Sequence, residues 1–109
     1  FGTVARVRVR EGGEILAAKK VPRAAVEDPG LKAQLLLERA VMASMCHPYI
    51  CKLRGTLRQP QALFLLMELC DGPNVYEVLE ERGPFEEVHA LQYAACIVSA
   101  LAELHASFW

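Results

Sequence analysis

The chain has 109 residues, 53% hydrophobic and 23% charged, with 12 Lys and Arg against 13 Asp and Glu for a formal net charge of −1. Disorder needs low hydrophobicity and high net charge, and collagen or a low-complexity linker needs far more than 7 Gly and 6 Pro, so the composition is that of a globular protein. The longest nearly apolar stretch, Tyr93 to Ala102 with Ser99 inside it, is far shorter than the roughly 18 residues of a membrane-spanning helix, and no membrane partner is expected.

Charge divides unevenly along the chain. Residues 1–58 hold 11 basic and 5 acidic side chains, net +6, whereas residues 59–109 hold Arg82 against 8 acidic ones, net −7. Either the first half meets an anion such as a phosphate, or the two halves simply face each other or solvent. The opening Phe1-Gly2-Thr3-Val4 has neither an initiating Met nor a basic-then-apolar leader, and the sequence reads as the inside of a longer chain. Among the four cysteines there is no C-x-x-C pair, and Cys46-His47 with Cys51 matches poorly the two close ligand pairs of structural zinc. No structural zinc is expected. Cys51, Cys70 and Cys96 sit among apolar neighbours, which predicts buried free thiols in a reducing, cytoplasmic setting.

In chain order, Val4 to Arg10 alternates Val7 and Val9 against Arg6, Arg8 and Arg10, the pattern of a half-buried strand. Glu11-Gly12-Gly13-Glu14 supplies a tight reversal, and Ile15 to Val21 forms the second arm, apolar except for Lys19 and Lys20. After Pro22 a loop is expected as far as Pro29-Gly30. Leu31 to Met45 then contains good helix formers, with Leu31, Leu35, Val41, Met42 and Met45 on one stripe. Glu38 falls on that same stripe, so its carboxylate must either reach water or find a cation.

His47-Pro48 ends the helix. Lys52 to Leu57 and the apolar Ala62 to Met67 read as strands on either side of a turn at Arg58-Gln59-Pro60-Gln61. Asp71-Gly72-Pro73-Asn74 is rich in breakers, and Asn74 with Glu77 three residues on predicts a capping box for a helix ending near Gly83. Pro84 to His105 is expected to form a longer helix with Phe85, Val88, Leu91, Ala95, Val98, Leu101 and Leu104 on its apolar side, and Glu86 and Glu87 in its first turn. The fold class is α+β.

One combination of residues carries chemistry. A Gly-containing strand turn at Phe1-Gly2-Thr3-Val4 is followed 15 residues later by Lys19, in Leu16-Ala17-Ala18-Lys19, and 19 residues further by Glu38 on the helix stripe. A nucleotide phosphate site needs such a cation, held by a carboxylate from a separate element.

These residues resemble the eukaryotic protein kinases. Phe1-Gly2-Thr3-Val4 is similar to the second half of the glycine-rich loop, Leu16-Ala17-Ala18-Lys19 to the V-A-I-K strand, and Glu38 to the helix glutamate that pairs with its lysine. Leu63-Phe64-Leu65-Leu66-Met67-Glu68-Leu69-Cys70 resembles the strand and hinge. Phe85 to His105 resembles the first long helix of the C-lobe, most similar to that of AGC-type, cyclic-nucleotide-dependent-like Ser/Thr kinases.

The resemblance implies an N-lobe over residues 1–68, a hinge over 69–73 and the start of a C-lobe over 74–109. It further implies ATP and a protein substrate as partners and no nucleic acid, and it allows for a regulatory domain or subunit elsewhere. Gly2 would belong to the phosphate loop, Val4 and Ala17 would face adenine, and Val75 would approach from the other lobe. Lys19 would contact the α- and β-phosphates with Glu38 holding it, and Met67 would be the gatekeeper. The Glu68 carbonyl and the Cys70 amide would bond the adenine edge, and Met42 and Leu53 would join an apolar spine.

Gly72-Pro73-Asn74 stands where Gly-Gly-Glu is usual, so Asn74 replaces the acid expected to meet the ribose. The same resemblance places the catalytic base and the Mg²⁺ ligands beyond Trp109. A truncated kinase lobe, inactive and poorly soluble by itself, is therefore expected. The other readings are a pseudokinase or regulatory module and a small α+β domain whose Lys19–Glu38 pair is only structural. Nucleic-acid binding by Arg6, Arg8 and Arg10 is disfavoured because no aromatics interleave with them to stack on bases.

Overall fold

The computed structural model of the protein describes residues 3–108. It divides into two units, one holding the chain up to Cys46 with Ile50–Cys70, the other holding His47–Tyr49 with the chain from Asp71 onward.

The first unit is built on four strands, β1 (Thr3–Arg8), β2 (Ile15–Pro22), β3 (Leu53–Arg58) and β4 (Ala62–Glu68), antiparallel throughout in the order β1-β2-β4-β3. The first hairpin closes earlier than its alternation suggests. Val9 N–H donates to the Glu14 carbonyl at 2.8 Å, leaving Arg10 to Gly13 as the tip, where Gly12 and Gly13 take φ of 85° and 71°. A side chain at those angles would strain, which is why the reversal uses glycine. In β3 a bulge at Arg54 shifts the register between Leu53 and Gly55.

Two helices accompany the sheet. The segment after Pro22, expected as loop, forms a short helix α1 (Arg23–Glu27) with an exposed Arg23–Glu27 ion pair at 2.7 Å across its single turn. The next helix, α2 (Pro29–Ser44), begins two residues before the expected start. The breaker reading of Pro29-Gly30 gives way to a helix entry: the Asp28 side chain accepts from Gly30 N–H at 2.9 Å and Leu31 N–H at 3.1 Å, and proline at the first position has no N–H to satisfy. Leu35, Met42 and Met45 of the stripe are buried, and Leu31 and Val41 are half-buried. The core gathers Leu35 and Met42 of α2 with Val21 and Leu65 of the sheet, the latter two with 0% exposure, and packs Leu53, Leu63 and Met67 against them.

The second unit contains α3 (Val75–Arg82) and α4 (Glu87–Phe108). The capping box at α3 forms as expected, the Asn74 side chain accepting from Glu77 N–H at 2.8 Å while Glu77 accepts from Asn74 N–H. Gly83 ends α3 with φ of 76°. The long helix starts three residues later than expected, because the turn at Gly83-Pro84 is followed by a helical bond first closed by Ala90 N–H on the Glu86 carbonyl, 3.0 Å. His47 bonds Ser99 at 3.1 Å and Phe85 lies 5.0 Å from Tyr93, ring centre to ring centre. Val88, Leu91, Val98 and Leu101 of α4 are exposed. Among the described residues, no helix is long and apolar enough to cross a membrane.

Candidate functional site

Strand alternation puts Ala17, Lys19 and Val21 on one face of β2, and Val21 identifies it as the face covered by α2. The register extends that face across neighbouring strands: Lys19 lies opposite Val4 on one side and Leu65 on the other, and Ala17 lies opposite Met67. The valine and leucine side chains beside it offer its ammonium no acceptor.

Its partner comes from α2. Lys19 Nζ donates to both carboxylate oxygens of Glu38, at 3.1 and 3.3 Å, with the two side chains 18% and 35% exposed. Glu38 stands between Leu35 and Met42, three and four residues away, so the packing that buries those two aims the carboxylate at the sheet. The two oxygens fix the ammonium at one point at the border of core and solvent. A cation so held can orient an anionic ligand without wandering.

Of the other residues singled out in the sequence, Val4 is 62% exposed, Ala17 is buried, and Met67 and Glu68 are half-buried in β4. Asn74 and Val75 belong to the second unit, where Asn74 Oδ1 is engaged in the helix cap and Val75 is exposed. Gly2 lies outside the described residues. Met42 is buried in the core and Leu53 packs on it. Leu16 faces Glu68 across the ladder.

At the end of β4 the sequence reading needs correction. Cys70 is exposed, and Cys51 and Cys96 are only half-buried, because Cys70 has left the sheet and α4 carries Cys96 on a surface-facing helix. All four cysteines are free. Cys51 does not join Cys46 and His47. Its thiol donates to the Glu68 carbonyl at 3.4 Å, and the sulfurs of Cys51 and Cys70 and a carboxylate oxygen of Glu68 all lie within 4.8 Å of one another. Burial first, then Cys70 and Glu68 beside it, push the Cys51 thiol up to about 11. No sequence spacing signals this cluster, since it depends on the pairing of β3 with β4.

The positive charge of the first half also finds a place the sequence did not indicate. A cavity of about 710 Å³ is lined by Arg23, Lys32, Arg39 and Arg58 around Val26 and Leu35. Arg6, Arg8 and Arg10 are exposed elsewhere.

A family model of the protein kinase domain matches residues 1–108. The chain is 34% identical over 116 aligned residues to the serine/threonine-protein kinase PkaA of Streptomyces coelicolor, covering 96% of this chain and 21% of that protein. It is 31% identical to cGMP-dependent protein kinase, isozyme 1, of Drosophila melanogaster, over 97% of this chain and 14% of that protein. The human cGMP-dependent protein kinase 2 is 28% identical over 96% of the chain and 14% of its own length. The chain thus spans about a fifth or less of the length of these relatives. With a four-stranded antiparallel sheet, one covering helix and a lysine and glutamate joined between them, the chain belongs to the protein kinase family.

Proposed function

We propose that the chain is the ATP-binding part of a serine/threonine protein kinase, which transfers the γ-phosphate of ATP to protein Ser or Thr hydroxyls. The single observation that carries this reading is the Lys19–Glu38 contact at 3.1 and 3.3 Å, joining sheet to helix at the edge of the core. Phosphoryl transfer relies on positioning and charge stabilisation, so Lys19 acts by fixing the α- and β-phosphates and Glu38 by fixing Lys19. Glu38 is a positioning residue, and neither forms a covalent intermediate.

In this reading Val4 and Ala17 form one wall against adenine and Met67 closes the pocket behind it. The Glu68 carbonyl and Cys70 amide take the adenine edge. That carbonyl already accepts the Cys51 thiol, but an oxygen with two lone pairs has room for a second donor. The kinase resemblance alone also assigns Gly2, Asn74 and Val75 to nucleotide binding. Asn74 Oδ1 already accepts one bond in the helix cap, and a neutral amide makes a weaker ribose contact than a carboxylate does. Mg²⁺ would supply charge neutralisation of the phosphates, and no residue of the 109 is assigned to hold it or to take the substrate proton. By itself the chain is proposed not to transfer phosphate. The names of the relatives and the four free cysteines support a serine/threonine kinase in a reducing cytoplasm.

The test is Lys19→Met in the protein carrying this chain. Phosphotransfer should fall by about 10²-fold or more, as for loss of one preorganised electrostatic contact, with circular dichroism unchanged. Undiminished transfer refutes the assignment. Wild-type protein that binds nucleotide but transfers no phosphate would favour the pseudokinase reading instead.

A further inference from the structure

Outside the lysine and glutamate pair, one group of side chains brings together donors that attract the same kind of ligand. Cys51 precedes β3, Glu68 ends β4 and Cys70 follows two residues later. The ladder continues past the strand ends, with Glu68 N–H donating to the Lys52 carbonyl at 2.9 Å, so Cys51 is held beside the Glu68–Cys70 segment. Glu68 and Cys70 stand two residues apart at this strand end, and their donor atoms meet that of Cys51. The result is two sulfurs and one carboxylate oxygen, all within 4.8 Å of one another.

We propose that Cys51, Glu68 and Cys70 form a binding site for a soft divalent cation of the zinc class. Zinc takes thiolate sulfur at about 2.3 Å and carboxylate oxygen at about 2.0–2.2 Å, so two ligands of a tetrahedral ion stand about 3.5–3.8 Å apart. The spacing here closes onto one ion with side-chain adjustments, and Cys70, being exposed, is free to make them. Thiolates disfavour Mg²⁺ and Ca²⁺, which prefer all-oxygen shells, so the metal that serves ATP is not the one this site selects. Three protein donors leave the fourth tetrahedral position to water. Binding replaces the two thiol protons with the cation and releases them to solvent, with no change in oxidation state. It also withdraws the Cys51 thiol from the Glu68 carbonyl, tying the site to the backbone at the end of β4.

The test uses the protein carrying this chain, reduced with a phosphine and stripped of metal with a chelator, then titrated with Cd²⁺ as a spectroscopic stand-in for Zn²⁺. Thiolate-to-metal absorption should saturate and be abolished by Zn²⁺ but not by excess Mg²⁺. Cys51→Ser and Cys70→Ser should each remove one thiolate's share of this signal or weaken binding by more than about tenfold, at least the loss caused by altering an outer-shell partner. Cys46→Ser and Cys96→Ser should retain it. Cys70→Ser, at an exposed position, guards against a folding failure in Cys51→Ser. Absorption that keeps its wild-type amplitude and affinity in both ligand variants, or its absence from the wild type, overturns the proposal. These readouts do not depend on nucleotide, so they stand or fall separately from phosphotransfer.

Discussion

The Lys19–Glu38 pair permits a prediction in which stability and activity separate. At 3.1 Å the bare Coulomb attraction is about 5 kcal/mol at an effective dielectric of 20. The side chains are 18% and 35% exposed, so solvent screening, desolvation and ordering of two long side chains offset most of it. We expect a coupling of about 1–2 kcal/mol, above the range of surface pairs and below the 3–5 kcal/mol lost on breaking a fully buried one. The perturbations are Lys19→Met, Glu38→Gln and the double variant. Urea unfolding followed by circular dichroism yields the coupling through the double-mutant cycle. In the same variants phosphotransfer should fall by about 10²-fold or more, equivalent to about 2.7 kcal/mol in the barrier. A coupling near zero would mean that the contact is not maintained in solution. A coupling above about 3 kcal/mol would mean that the pair is a buried structural bridge rather than a solvent-edged clamp.

Three further outcomes follow from packing, capping and titration. Leu65→Ala empties the centre of the core, where Leu65 has 0% exposure, and should cost about 2–5 kcal/mol in urea denaturation; a loss under 1 kcal/mol would contradict the packing. Asn74→Ala removes the acceptor for Glu77 N–H and should cost about 1 kcal/mol locally, seen as faster amide exchange in α3 with α2 unaffected. Cys51, its thiol raised to about 11, has roughly one molecule in a thousand as thiolate at pH 8, so iodoacetamide should label exposed Cys46 and Cys70 first. Because the folded state holds this proton more tightly, the associated stability is fully present below pH 9 and is lost as pH rises toward 11. Equal labelling rates at pH 8 would refute the shift.

The parts of the site that were legible in the sequence are those where local periodicity determines direction. Glu38 on an apolar stripe and Lys19 in an apolar strand each announce an unsatisfied charge, and the structure joins them. The Asn74–Glu77 cap was readable for the same reason, since its partners are three residues apart. Pro29 misled because proline breaks a helix interior yet favours a helix start, and only the Asp28 side chain bonds distinguish the two. Cys70 misled because apolar neighbours do not guarantee burial once a chain leaves its sheet. The Cys51, Glu68 and Cys70 cluster could not be read at all. It is created by the β3–β4 register, and a bulge at Arg54 alters that register by one residue.

The placement of Glu38 between Leu35 and Met42 makes the ion pair depend on the core. Successive helix residues are turned by about 100°, so a rotation of α2 by one position would carry Glu38 off the sheet-facing side and withdraw Leu35 and Met42 from Val21 and Leu65 at the same time. The hydrophobic cost of that rotation, about 1.5–3 kcal/mol for each large side chain exposed, exceeds the 1–2 kcal/mol expected from the pair itself. The charge contact therefore does not hold the helix in place. The core holds the helix, and the helix holds the lysine, so a substitution at Met42 should impair Lys19 placement although its side chain is no part of the ion pair. Met42→Ala is expected to weaken the Lys19–Glu38 coupling in the same double-mutant cycle. An unchanged coupling in that background would show that Glu38 follows Lys19 independently of helix packing, and would refute this order of dependence.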